Sequence, residues 1–408
     1  MESFTLKNGV KVLFDKTNGA EIFSLRILSR VSVINEVLGN AGISSLTSKL
    51  MAYSTKNRPS EILANDLGSI GADLSSDVAY DMAGFSMSCL SEYFDKAAEL
   101  LADVVLNPIF DEKEFNFEKE SAIAALNSRK DSIGTTAADA FAKLFYGNAS
   151  YSFPVVGNKD SILKITREDL IKWHRYSYNA SNILLSVSGN VSSTVVKESL
   201  EKHLSVVATG DKFKDPVFNL NRDKSVNKEI KGKFNQAYIF IGFLAPAVND
   251  KDFVTTKVIS AILGGRMTSR LFVELREKLG LAYEVSAVFP SGKKDGYFAV
   301  YAGLDKKNIE LTLKRIDEIL KDFCSAKISE RELKNVKAYI KGIYLLDRQT
   351  VNKKSYYSGW REIIGQGYKY DAEYLNDIEK VTTQGVLNVA GKIFAGSAVS
   401  VIISPEDK

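Results

Sequence analysis

The sequence is short of cysteine and histidine, with two of each among 408 residues. Cys89 and Cys324 lie far apart in unrelated contexts, so they define neither a disulfide framework nor a Cys-x-x-Cys site. His174 and His203 are separated by 29 residues, which is not the spacing of a metal-ligand pair. These absences exclude a disulfide scaffold and a histidine-based metal motif. A rearranged site built from Asp, Glu and Cys would leave no spacing signature, and none is found.

Long apolar runs and a strong charge of one sign are also missing. No run approaches the ~20 residues of a membrane helix, and Met1–Leu6 has neither the basic nor the apolar region of a secretory leader. Lys and Arg total 54 against 50 for Asp and Glu, and this small excess is dispersed along the chain. We therefore expect no membrane or nucleic-acid partner and a cytoplasmic location, or a periplasmic one if a leader has been removed.

The length and the patterning predict two domains. A chain of 408 residues is long for one hydrophobic core, and 45% hydrophobic with 25% charged residues is an ordinary globular composition. Periodic patterns weaken into turn-rich sequence between His203 and Gly232, which indicates a linker. We predict an N-terminal domain over 1–205, a linker over 206–232 and a C-terminal domain over 233–408. Strands and helices occur in runs without strict alternation, which predicts an α+β fold with helices packed on a mixed, mostly antiparallel sheet.

Three pairs of short matches, in the same order along the chain, indicate that the two domains are duplicates. Their offsets are 221, 218 and 216 residues, and the pairs are Thr47–Leu50 with Thr268–Leu271, Asp111–Phe115 with Ser329–Leu333, and Ile162–Leu170 with Ile378–Val386. The offsets drift in one direction, as deletions in loops would produce. A duplicated domain is the economical explanation.

The whole chain resembles the insulinase or pitrilysin family of zinc peptidases, in particular the two-domain branch that includes the mitochondrial processing peptidase. The residues that carry the resemblance are Leu6–Val10, Gly42, Thr55–Arg58, Asn107–Pro108 with the helix start after it, and Gly264–Val285. The last block is the most specific. The resemblance implies two tandem homologous domains that form half of a clam-like shell.

The metal-binding helix of that family is degenerate in this chain. The family motif is His-x-x-Glu-His, in which two histidines one helical turn apart bind zinc and the glutamate acts as general base. Aligned through Gly42 and Thr55, the motif and the third ligand fall on four residues: Ser45, Ser48, Lys49 and Ala125. The family's supporting glutamate is kept as Glu118. We therefore expect no metal in this chain and no peptidase activity from it alone.

An arginine and a tyrosine that the family uses on its substrate are retained. Arg276 and Tyr283 lie seven residues apart within Ser-Arg-Leu-Phe-Val-Glu-Leu-Arg-Glu-Lys-Leu-Gly-Leu-Ala-Tyr. The resemblance implies that this pair binds the substrate backbone and helps to stabilise an oxyanion, and a forked cation with a hydroxyl suits that chemistry. The alternative is structural: Arg276 would be a solvated helix residue and Tyr283 a packing residue at a strand start.

A lost metal half beside a retained Arg–Tyr half is the pattern expected of a non-catalytic subunit in two-chain members of the family. The resemblance implies a heterodimer whose partner carries His-x-x-Glu-His and the zinc. Arg276 and Tyr283 would then act in trans, on a peptide or an unfolded segment. The alternatives are a structural scaffold like the core subunits of respiratory cytochrome complexes, and a stand-alone peptide-binding homodimer. Retention of both residues favours the first interpretation.

Two further segments have both a functional and a structural interpretation. Gly264–Arg266 resembles the start of the glycine-rich loop that the non-catalytic processing-peptidase subunit uses on substrate, but paired glycines more often mark a tight helix entry. In the family, an edge strand after the metal helix pairs with the substrate by β-addition. Ala83–Cys89 is a candidate remnant of that edge, or else a purely structural strand.

Overall fold

The computed structural model describes residues 1–218, 220, 224–294 and 296–406, in which strands and helices occur in runs. The strands are β1 (Glu2–Thr5), β2 (Lys11–Lys16), β3 (Ile22–Ser29), β4 (Asp73–Val78), β5 (Ala83–Leu90), β6 (Ile183–Gly189), β7 (Val226–Gly232), β8 (Ala237–Ala245), β9 (Ala282–Val288), β10 (Gly296–Leu304) and β11 (Ala398–Pro405).

The α-helices flank these strands, and a π-helix spans Phe272–Lys278. The α-helices are α1 (Ile43–Met51), α2 (Ser60–Ser69), α3 (Phe94–Leu106), α4 (Glu112–Arg129), α5 (Ile133–Tyr146), α6 (Lys159–Lys164), α7 (Arg167–Ser177), α8 (Ser193–Leu204), α9 (Phe253–Leu263), α10 (Ile309–Ser325), α11 (Glu330–Asp347), α12 (Val351–Ile363), α13 (Tyr370–Lys380) and α14 (Thr383–Phe394). Within the described part of the chain, none of the helices has the length and apolar character that a bilayer crossing requires.

The chain divides into two compact units, each with one sheet. The sheet of unit 1 has the strand order β1-β2-β6-β3-β5-β4, and that of unit 2 has the order β7-β11-β8-β10-β9. In each sheet one pair is parallel, β2 with β6 and β7 with β11, and the other neighbours are antiparallel. Apart from β1 the two topologies are identical. The predicted α+β class with two tandem homologous units is therefore confirmed.

The units are not the two contiguous segments that the sequence pattern predicts. Unit 1 comprises Met1–Asn127, Asn148–Val217 and Leu346–Asp371, and unit 2 comprises the other described residues, including Ser128–Gly147. Helix α12 therefore belongs to unit 1, where it packs on β3 and β6, and α5 belongs to unit 2, where it packs on β8 and β11. Each of these helices covers a sheet from the other half of the sequence, a contact that no local pattern records.

Glycines allow both of these helices to approach their sheets closely. A Cβ at Gly359 in α12 would lie 2.2 Å from Leu28 Cδ1 of β3, and a Cβ at Gly242 in β8 would lie 2.3 Å from Phe141 Cζ of α5. The bare backbone at each position lets a large neighbouring side chain fill the space. Both units thus use a glycine to bring a helix close to the sheet. In unit 1 the glycine is on the helix, and in unit 2 it is on the strand.

The segment predicted to be a linker contains a strand. Residues 226–232 form β7, which pairs with β11 over its whole length, so the linker prediction over 206–232 extended too far. The strand was missed because its side chains are mostly exposed and polar, and it therefore lacks a clear alternation. Residues 219 and 221–223 of the predicted linker lie outside the described residues.

One of the three matches between the halves does not join equivalent elements. Thr47–Leu50 lies within the first helix after β3, whereas Thr268–Leu271 leads into the second helix after β8, so this match is coincidental. The other two join equivalent elements. Asp111 and Ser329 directly precede α4 and α11, and Thr166 and Thr382 are the N-caps of α7 and α14.

Gly264 provides a strong test of packing in unit 2. It ends α9 against β9, where an added Cβ would lie 1.8 Å from the backbone nitrogen of Ala287. We expect Gly264→Ala to destabilise the protein by about 3 kcal/mol, because backbone rather than a flexible side chain would have to move.

The matched control for this substitution is Gly342→Ala. Gly342 lies in α11 with nothing within 4 Å of its added Cβ, and alanine favours a helix over glycine by about 1 kcal/mol. Urea unfolding of both variants checks the prediction. Equal midpoints for the two would show that the contact between Gly264 and β9 does not constrain the fold.

Candidate functional site

Helix α1 begins where two backbone segments are packed closely against each other. Its N-cap is Gly42, which has a φ of 94°, and an added Cβ there would lie 2.5 Å from the carbonyl oxygen of Val156. Gly157 has a φ of 91°, and its Cβ would lie 2.2 Å from the carbonyl oxygen of Ala41. Only glycine suits both positions, since each combines a left-handed backbone with a backbone neighbour. The start of α1 is therefore held in one place.

A buried carboxylate also binds the backbone at the start of α1. Glu36 is 4% exposed, and its two oxygens accept hydrogen bonds from the backbone N–H groups of Gly42 (2.8 Å) and Ser44 (2.9 Å). Burial raises the pKa of Glu36 to about 7, although both hydrogen bonds oppose that shift. No motif in the sequence marks this residue. The only signal for it is an acidic residue six positions before a helix-starting glycine.

The raised pKa of Glu36 predicts that the free energy of unfolding depends on pH. Because its pKa is about 7 in the folded chain and 4.5 ordinarily, folding favours its protonated form. The stability that this group contributes is present below pH 4.5 and is lost as the pH rises through 7, and the loss is roughly 3 kcal/mol. We expect Glu36→Gln to abolish this component, as measured by urea unfolding between pH 4.5 and 8. The exposed control Glu92→Gln should keep the wild-type slope, and an equal slope in all three proteins would contradict the prediction.

The three motif positions on α1 lie where helical spacing predicts. Ser45 and Lys49 are one turn apart and partly exposed, while Ser48 is buried, with its hydroxyl 3.4 Å from the hydroxyl of Tyr178. Lys49 Nζ donates to Glu118 Oε2 at 2.9 Å, and Tyr53 donates to Glu118 Oε1 at 2.6 Å. Each oxygen of the supporting glutamate therefore accepts one hydrogen bond, one from an ammonium group and the other from a phenol.

The Lys49–Glu118 pair joins α1 to α4. The Glu118 side chain is 7% exposed and the Lys49 side chain 41%, so the cation neutralises a buried carboxylate while remaining open to solvent on one side. The hydrogen bond to Glu118, together with burial, raises the pKa of Tyr53 to about 12, so this phenol stays protonated as a donor. The family resemblance points to Glu118 and Lys49 separately but not to Tyr53, which lies two residues beyond the end of α1.

The residues at the metal positions do not fit zinc. Ala125 lies two turns after Glu118 on α4, is exposed, and has no atom that can bind a metal. Serine hydroxyls are poor zinc ligands, and the ammonium of Lys49 repels a cation. Throughout the described ranges, no three His, Cys, Asp or Glu side chains are grouped so that they could hold a metal ion.

Both histidines have structural partners instead. His174 is partly buried, and its Nε2 lies 2.7 Å from the carbonyl oxygen of Val105, while its ring stacks on Tyr178. Burial lowers the pKa of His174, which favours the neutral ring. His203 Nε2 lies 3.0 Å from Asp95 Oδ1. Neither histidine is paired with the other or with the degenerate motif.

Arg276 and Tyr283 lie in unit 2 on either side of a turn. Arg276 is carried by the π-helix, in which Leu279 N–H donates to the Glu274 carbonyl at 3.2 Å. Gly280, with a φ of 59°, turns the chain into β9, whose second residue is Tyr283. A π-helix is rare and often marks a functional position. The sequence predicts a helix here but contains nothing that distinguishes this form from an α-helix.

Both side chains point away from the core. Arg276 is exposed, forms no hydrogen bond or ion pair with a described residue, and has its guanidinium carbon 5.0 Å from the centre of the Phe272 ring. Tyr283 is 42% exposed, and its ring covers Gly303 of β10, where a Cβ would lie 2.4 Å from Cζ. Burial of the ring raises the pKa of Tyr283, so it remains a hydrogen-bond donor. Both groups are thus available to a ligand.

The sheet order corrects one functional interpretation of the sequence. Ala83–Cys89 lies in β5, which pairs with β3 on one side and β4 on the other, so it is not an edge strand. The two edges of this sheet are β1 and β4, and α1 packs beside β4. A peptide could add to β4 but not to β5. In unit 2 the equivalent edge is β9, which carries Tyr283.

The glycines of Gly264–Arg266 have structural roles. Gly264 allows the close contact with β9, and the carbonyl of Gly265 accepts a hydrogen bond from the hydroxyl of Tyr339 at 2.8 Å. The guanidinium carbon of Arg266 lies 6.0 Å from the centre of the same tyrosine ring. This segment is therefore packed against α11, as expected of a tight turn at a helix end.

Two family models match consecutive parts of the chain. The model described as Insulinase (Peptidase family M16) matches residues 18–157, and the one described as Peptidase M16 inactive domain matches residues 164–340. An uncharacterized zinc protease of Rickettsia felis is 28% identical over 98% of this chain and 97% of its own length. The zinc protease YmxG of Bacillus subtilis, also described as uncharacterized, is 24% identical over 99% of this chain and 98% of its own.

Solved structures show the same fold. A protease from Helicobacter pylori has a TM-score of 0.92 at 22% identity, with 99% of each chain covered. A peptidase M16 inactive domain from Pseudomonas fluorescens has the same TM-score and identity, and covers 100% of this chain and 98% of its own.

Proposed function

This chain belongs to the insulinase family of peptidases, family M16, and from that premise we propose that it is the non-catalytic, substrate-binding subunit of a two-chain zinc endopeptidase. The zinc and the general base would be supplied by a homologous partner with an intact His-x-x-Glu-His motif. This chain would supply binding groups for a peptide or an unfolded segment.

The observation that carries the proposal is the ion pair between Lys49 and Glu118. Lys49 occupies a metal-ligand position and holds the supporting glutamate by a 2.9 Å hydrogen bond. A buried carboxylate needs a positive partner, and here a fixed ammonium provides it where the family uses a metal-centred network. An ammonium cannot lower the pKa of a bound water or polarise a carbonyl as zinc does. The Lys49–Glu118 pair can therefore stabilise the fold as a metal site would, but it cannot support hydrolysis.

Each unit has its own feature for binding a peptide. The first is the edge of β4, where unpaired backbone groups can add a strand by hydrogen bonding to the peptide main chain. The second is the pair formed by Arg276 and Tyr283. A forked cation and a neutral phenol can both donate to a carbonyl oxygen or to a developing oxyanion, and their exposure leaves them open to a partner's site.

The decisive experiment is affinity purification of the tagged chain from its native organism, with identification of the co-purifying chains by mass spectrometry. We expect a stoichiometric partner of similar size with an intact His-x-x-Glu-His motif. Peptidase activity in the eluate should be abolished by a chelator and restored by zinc. Either recombinant chain alone should be inactive under the same conditions.

Three other outcomes would overturn the proposal. Recovery of membrane-bound respiratory subunits would identify the chain as a structural scaffold. Recovery of this chain alone, as a dimer that binds peptides without hydrolysis, would identify a stand-alone binding protein. Zinc bound stoichiometrically to the isolated chain would contradict the assignment of the metal to the partner.

A further inference from the structure

A cleft in unit 1 lies on the side of α1 that faces away from the degenerate metal motif. It has a volume of about 440 Å³ and is formed by the loop before α1, the end of α6 and one face of α7. Ile43, the first residue of α1, lines it. Ile43 is two residues from Ser45 and six from Lys49, which places it on the opposite side of the helix. The cleft is therefore separate from the site described above.

Apolar and aromatic side chains line one part of the cleft. Ile43 and Ile165 form its floor, and both are buried. Trp173 and Tyr176 line one wall with their rings edge to face at 6.1 Å, and both are partly exposed. A space of this size admits one large side chain with its flanking backbone, but not a helix or a domain.

The rim of the cleft carries excess positive charge. Lys164 and Lys172 are exposed, and Lys172 lies close enough to Asp169 to interact with its charge. The one acidic residue in the lining, Asp169, caps α7 by accepting from the N–H of Thr166 (2.9 Å) and from its hydroxyl (2.7 Å). The hydrogen bonds to Thr166 and the nearby charge of Lys172 lower the pKa of Asp169, so its carboxylate stays ionised. The two lysines therefore leave the lining one positive charge in excess for an anionic ligand.

A projecting apolar loop lies beside the cleft. Val37 is 63% exposed and Leu38 is 58% exposed, and Gly39 and Asn40, which follow them, line the cleft. Large apolar side chains next to an aromatic pocket with a charged rim are typical of a surface that binds another polypeptide. A small ligand confined to the cleft would leave this loop uncovered.

We propose that this cleft binds an acidic peptide segment that carries one large apolar side chain. The apolar side chain enters between Trp173 and the isoleucine floor, acidic side chains on either side meet Lys164 and Lys172, and the peptide covers Val37 and Leu38. The ligand touches Ile43, so its binding also braces the start of α1. This site goes beyond the proposed function and does not depend on Arg276, Tyr283 or a partner subunit.

Intrinsic fluorescence provides a direct test, because the chain has two tryptophans and one of them lines the cleft. Trp360→Phe leaves Trp173 as the single reporter in the full-length protein. The probes are blocked peptides with a central Phe flanked by Glu and Asp, the same peptide with Lys flanks, and the acidic peptide with Ala in place of Phe. We expect the acidic peptide with Phe to change the fluorescence of Trp173 in a saturable way. The peptide with Lys flanks and the peptide with Ala should each bind at least about tenfold more weakly.

Reversing the charge of the rim lysines tests whether the peptide binds in this cleft. Lys164→Glu combined with Lys172→Glu is expected to weaken binding of the acidic peptide about tenfold, because each reversal replaces an attraction with a repulsion. Lys113→Glu, an exposed lysine at the start of α4, is the matched control and should bind as the parent does. Equal binding of acidic and basic peptides, no saturation up to the millimolar range, or equal effects of the two sets of substitutions would overturn the proposal.

Discussion

Replacing Arg276 with alanine in the two-chain enzyme that we propose is expected to lower kcat by about 10² to 10³ while leaving assembly intact. The magnitude is that of removing one preorganised donor from an oxyanion site. Arg276 makes no hydrogen bond or ion pair within the described structure, and its ring contact with Phe272 is local to the π-helix. Its loss should therefore cost this chain little stability. Tyr283→Phe should also lower kcat, because it removes the hydroxyl donor. The ring keeps its contact with Gly303, so the fold should not be disturbed.

Steady-state kinetics on the reconstituted complex check this prediction. KM should change less than kcat if these groups act mainly in the transition state. Arg331→Ala is the matched control, since Arg331 is an exposed arginine on α11 of the same unit. Size-exclusion chromatography establishes that each variant still assembles. Wild-type turnover in both Arg276→Ala and Tyr283→Phe would exclude a role for the pair in the partner's active site.

Rebuilding the metal site is expected to need four substitutions rather than three. Ser45→His, Ser48→Glu and Lys49→His restore the helical motif, but Ala125 still leaves zinc without its third protein ligand. Addition of Ala125→Glu should give about one tightly bound zinc per chain, and the triple variant should bind zinc at least ~10²-fold more weakly. The retained Glu118 and Tyr53 then support the site from behind.

Zinc titration with a competing chelator measures this difference, and a fluorogenic peptide reports hydrolysis. The matched control carries Ser48→Gln in place of Ser48→Glu, so that the metal ligands are present and the general base is absent. It should bind zinc as the quadruple variant does and should not hydrolyse peptide. Full activity in the triple variant would show that the third ligand position is not Ala125.

Local patterns predicted the repeated architecture because they arise from local physics. The first two strands are joined around Asn8-Gly9, where Gly9 has a φ of 88°, as this dipeptide predicts for a hairpin. Thr166 accepts from the N–H of Asp169 at the start of α7, and Thr382 accepts from Gly385 at the start of α14. Each feature depends on neighbours within a few residues, and the sequence is sufficient to predict it.

Non-local contacts were predicted less well. The neighbours of β5 on both sides could not be read from its sequence, because a buried strand and an edge strand differ in their hydrogen-bond partners rather than in their residues. The same limit explains why α5 and α12 were assigned to the wrong halves. Their apolar faces show that they pack on something, but not on which sheet.

The sequence alone determined which residues align with the family's metal and substrate positions, and from them the prediction that this chain does not hydrolyse peptides by itself. Two histidines away from the motif and a lysine among the motif residues predict, without any coordinates, that this chain does not form the family's zinc site. Only the tertiary structure showed that Lys49 pairs with Glu118, 69 residues away, that Glu36 fastens the start of α1, and that a π-helix carries Arg276. The physical reason is that composition and periodicity are properties of one segment, whereas an ion pair or a buried carboxylate exists only once distant segments have packed together.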